Sequence, residues 1–142
     1  MDFLIRTDPK ELDSTGYIEI GPGRYSGKHW TSGFLFIWED AFGMTEGIIM
    51  RHFSGYDHFA TNDIPREVGL KIVHDWNTVA SEMESLDTRT IHARLHLGDA
   101  YRDFLESEMS ENKAAIQLLL TQLSKEVAEY YENNDYACVL GI

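Results

Sequence analysis

Polar and apolar residues alternate over Tyr17-Ile18-Glu19-Ile20, between Gly16 and the turn-forming Gly21-Pro22-Gly23. That is the pattern of a short strand closed by a turn. Arg24 to Trp30 is a candidate second strand. Phe34-Leu35-Phe36-Ile37-Trp38 is apolar at every position, which suits a strand covered on both faces and central in its sheet. Glu39 to Gly43 then reads as a turn and Met44 to Phe53 as the next strand, with Gly47 at a bulge. Together these segments predict an antiparallel meander.

The period changes after Ser54-Gly55-Tyr56-Asp57-His58. Val68, Ile72, Trp76, Val79, Ala80 and Met83 recur at spacings of three and four, while Arg66, Glu67, Lys71, Asp75 and Glu82 fall between them. This predicts an amphipathic helix, with Asn62 or Asp63 as its cap and Pro65 in its first turn. Thr90 to Leu97 alternates Ile91, Ala93, Leu95 and Leu97 with Thr90, His92, Arg94 and His96, and fits a strand better than a helix. A helix beyond Gly98 turns Tyr101, Phe104, Leu105 and Met109 inward. A longer one follows from about Glu111 to Glu132, striped by Ile116, Leu119, Leu120, Leu123, Val127 and Tyr131, and Asn133-Asn134-Asp135 ends it. Tyr136 to Leu140 then returns to the sheet as a strand. The order of elements predicts one α+β domain over residues 1–142, with about three helices packed on one face of a mainly antiparallel sheet.

Composition supports a folded chain: 43 % of residues are hydrophobic and 17 are aromatic, enough for a sizeable core. Charge narrows the partners. The 24 acidic side chains against 12 basic ones leave a formal net charge of −12, which repels phosphate backbones and anionic lipid. Direct binding to nucleic acid or membrane is therefore not expected. The excess is spread evenly, with 12 acidic residues in 1–75 and 12 in 76–142. Such a surface raises solubility and steers basic ligands over a Debye length of ~8 Å. The N-terminus lacks the basic and apolar regions of a signal peptide, and no apolar stretch is long enough to span a bilayer, so the cytoplasm is the expected compartment. The one cysteine, Cys138, sits among Tyr136, Ala137, Val139 and Leu140 and reads as a buried, inert strand residue.

Three patterns invite a chemical reading. Gly21-Pro22-Gly23-Arg24-Tyr25-Ser26-Gly27-Lys28 resembles a phosphate loop but fails it. Three residues rather than four separate Gly23 from Gly27, His29 replaces the hydroxyl that would hold magnesium, and a strand pattern follows. No cofactor is expected. His92, His96 and Asp99 would share one face of a continuous helix, as a zinc site needs. However, Ala93 stands where a metalloprotease has its acid, and Gly98 interrupts the helix. A small metal-dependent hydrolase using His92 and His96 is the enzymatic alternative. His52, Asp57 and His58 form a loop cluster, and His74 and Asp75 are helix neighbours that point apart. No serine sits in a nucleophile elbow, and no enzymatic activity is expected.

The acidic residues are better organised. Asp99, Asp103 and Glu106 follow the four, three spacing that aligns carboxylates on one helix face, opposite Tyr101, Phe104 and Leu105, with Arg102 pointing away. Like charges at this spacing cost a few tenths of a kcal/mol per pair, which a basic partner would relieve. Glu82, Glu84 and Asp87 form a second group. Both sets also fit ordinary solvated faces of a structural or adaptor module.

In its acidity, its size and its lack of a catalytic motif, the chain resembles bacterial immunity proteins of contact-dependent growth inhibition and other polymorphic toxin systems. The resemblance is one of type and carries no fold with it. It implies a complex with one cognate toxin, often a nuclease, whose basic groove is masked. Carboxylates would stand in for substrate phosphates while aromatic anchors fill the desolvated centre. Asp99, Asp103, Glu106, Glu82, Glu84 and Asp87 are the candidate partner-binding residues.

Overall fold

A computed structural model describes residues 1–142. Strands β1 (Ile5–Arg6), β2 (Tyr17–Pro22) and β3 (Leu35–Trp38) precede helix α1 (Glu39–His52). Strand β4 (Thr61–Pro65) leads into α2 (Arg66–Glu82). Three further helices, α3 (Thr88–Arg94), α4 (Asp99–Ser107) and α5 (Met109–Asn133), come before β5 (Tyr136–Leu140). The chain is α+β, with five α-helices against one five-stranded antiparallel sheet of order β1-β3-β2-β5-β4.

The sheet is not a meander. β2 and β3 pair across the long connection 23–34, and β5 returns from the far end of the sequence to lie between β2 and β4. β3 is an interior strand, buried at Leu35, Phe36 and Ile37, but β2 is the middle one. Arg24 to Trp30 is loop, with left-handed backbone at Gly23, Gly27 and Trp30.

Two expected strands are helices. In α1 the buried Ala41, Phe42, Met44, Thr45, Ile48 and Ile49 recur at three- and four-residue spacing. The β-branched residues in this run suggest a strand, but the helical period and packing decide. Glu39 and Asp40 in the first turn, with Arg51 and His52 in the last, complement the helix dipole. Gly47 is not a bulge: a β-carbon there would meet the backbone carbonyls of Leu95 and His96, so the glycine lets the chain after α3 press against α1. In α3, Ile91 and the following Leu95 are both buried four residues apart, a spacing compatible with either period. Asp87 settles the matter by capping the helix, its carboxylate accepting the Thr90 N–H at 2.8 Å. Asn62 and Asp63 do not cap α2. They lie in β4, and Pro65 occupies the cap position.

Pairing sorts the strand residues onto two faces. Ile18, Ile20, Leu35, Ile37, Ile64, Ala137 and Val139 share one face and join a cluster of 27 buried residues with the helices. Trp76 lies in this core and donates its indole N–H to the Thr45 carbonyl at 3.1 Å. The opposite face carries Tyr17, Glu19, Gly21, Phe36, Cys138 and Leu140, all buried. No helix covers it. The 23–34 loop does: Phe34 lies over Gly21, where a side chain would collide with its ring, and Trp30 stacks on Phe36 with ring centroids 6.1 Å apart. Tyr25 donates its N–H to Asp63 at 2.8 Å, and Arg24 lies over the Tyr136 ring.

Candidate functional site

Asp99, Asp103 and Glu106 lie on α4, all exposed, opposite the buried Leu105 and the half-buried Tyr101 and Phe104. Arg102 does not point away from them: its guanidinium stands 3.4 Å from the Asp99 carboxylate. Glu82 pairs with Arg94 at 2.7 Å. Asp87 is the α3 cap, and the Thr90 N–H holds its carboxyl below the ordinary range. Lys113 of α5 donates to the carbonyls of Glu84 and Leu86, while α4 leads directly into α5, so the two acidic groups flank the start of that helix. Six candidate carboxylates therefore divide. Asp99 and Glu82 have internal cations, Asp87 has a capping role, and Asp103, Glu106 and Glu84 stand exposed with no cation within 4 Å.

The histidines separate. His92 sits near the end of α3 with Nε2 3.1 Å from the Gly98 carbonyl. His96 lies beyond the helix in a left-handed conformation at φ 55°, and its Nε2 meets Arg51 at 2.9 Å. Burial and the Arg51 charge lower its pKa, so the neutral ring accepts the guanidinium N–H. Asp99 lies beyond the break at Gly98, and no three His, Cys, Asp or Glu side chains converge as a metal site would require.

His52 pairs with Asp75 of α2 at 2.6 Å. Asp75, with Arg51, Arg94 and His96, borders a cleft of about 270 Å³ between α1, α2 and α3. Its ionic side chains satisfy one another through the Arg51–His96, His52–Asp75 and Arg94–Glu82 contacts. His58 instead joins Glu46, a buried carboxylate of α1 that accepts from His58 Nδ1 at 2.5 Å and from the Tyr56 hydroxyl. Burial and the Glu46 charge raise the Tyr56 pKa, so the phenol remains a donor and fastens the 53–60 loop to α1.

Sequence reasoning missed Glu19. Its place in Tyr17-Ile18-Glu19-Ile20 suggests the wet face of a half-buried strand, yet it is 1 % exposed. Its Oε1 lies 2.9 Å from His29 Nδ1 and its Oε2 accepts the Trp30 N–H at 2.8 Å. A cavity of about 220 Å³ opens above it, bordered by Thr15, Tyr17, His29, Trp30 and Gly141. The missed signal is the fully apolar β3: the cover that its second face implies reaches the polar side of the adjacent β2, where Glu19 pairs with Phe36.

No protein-family model, curated protein or solved structure matches the chain. No helix is long and apolar enough to cross a membrane.

Proposed function

We propose that this chain is a cytoplasmic immunity protein that binds and neutralises a cationic toxin, a nuclease in the simplest case, by masking its active site. One observation carries the reading: the carboxylates of Asp103, Glu106 and Glu84 are exposed with no cation within 4 Å of them, in a chain of net charge −12. Carboxylates left without internal partners are free to meet Lys and Arg of a phosphate-binding groove. They would speed the encounter and fix its register, whereas affinity comes from desolvated anchors. Asp99 contributes less because Arg102 already lies against it, and the Glu82–Arg94 pair must open before Glu82 can take part.

The test is coexpression and pull-down with the toxin domain encoded by the adjacent upstream gene. Complex formation and protection of growth are expected. Asp103→Lys combined with Glu106→Lys should weaken binding at least tenfold, and Asp99→Lys by less. Absence of a complex, or of protection, would overturn the reading.

A further inference from the structure

Building on that function, we propose that the cavity over Glu19 is a socket for one lysine or arginine side chain of the basic partner. Size selects a side chain over a coenzyme: about 220 Å³ falls below the ~300–1,000 Å³ of ordinary small-molecule sites. Charge selects a cation. Glu19 is removed from water in the middle strand of the sheet, and its one ionic partner is His29, which carries charge only when protonated. A buried carboxylate without a permanent counter-charge is costly, and an incoming ammonium or guanidinium supplies that charge.

The walls suit the same ligand. Tyr17 and Trp30 border the cavity, and aromatic faces attract Arg and Lys. Trp30 is 40 % exposed and holds a left-handed backbone at φ 60°, a conformation costly for a bulky residue. The hydrogen bond from its own N–H to Glu19 and the stack on Phe36 keep it there. The loop thus presents an aromatic anchor of the kind that dominates protein interfaces. Across the Gly141 wall lies a second one. Gly141 donates its N–H to the Ala60 carbonyl at 2.8 Å, and the neighbouring Phe59 is 73 % exposed. A cationic socket with the exposed Trp30 at its rim and Phe59 beyond the Gly141 wall fits a protein partner better than a free amine.

The full chain is titrated with N-acetyl-arginine amide, N-acetyl-lysine amide and the neutral N-acetyl-norleucine amide, following the backbone NMR signals of His29 and Trp30. The cationic amides are expected to bind at least tenfold more tightly than norleucine amide. Glu19→Gln should remove that preference, and Thr15→Arg, at an exposed rim position, should block the cavity without depending on any buried change. Equal binding of norleucine amide, or cationic binding indifferent to both substitutions, would overturn the socket. The upstream toxin domain separates this proposal from the function beneath it. Toxin binding weakened by Asp103→Lys and Glu106→Lys but untouched by Trp30→Ala and Thr15→Arg removes the socket and keeps the immunity function. Glu19-dependent binding of arginine amide with no toxin complex does the reverse.

Discussion

The two faces of the sheet are equally buried but differently covered. One side packs Ile18, Ile20, Leu35, Ile37 and Val139 against helices. The other holds Glu19, Gly21 and Phe36 beneath the irregular 23–34 loop. Helices close their own backbone hydrogen bonds and offer side chains alone, so the first face is apolar except at Asn62, whose side chain bonds the backbone of Asp57 and Ala60. A loop brings unpaired N–H groups, and the second face supplies an acceptor for one of them in Glu19, which takes the Trp30 N–H. Burial on the helix side therefore means stability, whereas on the loop side it leaves room for polar chemistry and a cavity.

The contrast is broken most severely from the helix side. Ile20→Ala removes a side chain that is 1 % exposed and should cost about 2–5 kcal/mol in urea denaturation. A cost below about 1 kcal/mol would mean the two coverings are energetically alike.

The next effect belongs to the loop side. Burial pushes the Cys138 thiol up to about 11 from its ordinary 9.0. Below pH 9 the thiol is protonated in both folded and unfolded chains, and its contribution to stability is intact. Between 9 and 11 the unfolded chain releases the proton and the folded one keeps it, so stability falls by up to about 2–3 kcal/mol and then levels. Burial also raises Tyr130 and Tyr131 above their ordinary 10.0, and these act in the same direction from about pH 10 upward. Cys138→Ala isolates the thiol: its stability should decline less across pH 9–11 than that of the wild type.

The smallest effects sharpen the comparison at Glu19 itself. His29→Ala leaves a buried carboxylate with one partner fewer and should cost about 1–3 kcal/mol. Glu19→Leu removes the buried charge together with the acceptor of the Trp30 N–H, and should cost about 1 kcal/mol, less than His29→Ala. Thermal melts showing the opposite ranking would make Glu19 an ordinary structural anchor.

Much of this architecture is legible along the chain. The stripes of α2 and α5 keep the helical period, β2 alternates, and β3 and β5 are short unbroken apolar runs, and the structure follows each of these patterns. α1 and α3 are obscured because β-branched residues and a chance alternation imitate strands. Their helical identity rests on capping by Asp87 and on packing of α1 against the chain at Leu95 and His96. The exposed acidic stripe of α4 follows from spacing alone. Glu19 does not, because whether an alternating strand has a wet face depends on what a distant loop does.

The insertion of β5 between β2 and β4 also sets the order in which the molecule can be completed. Glu19 pairs with Leu140 and Thr61 pairs with the same residue, so two ladders close through one segment separated from β2 by most of the chain. Contacts of such separation slow folding. During synthesis the edges of β2 and β4 stay open until residues 136–140 emerge, and open edges invite pairing with other chains. Any surface that depends on the finished sheet, the cavity over Glu19 included, is then complete only once β5 has paired with β2.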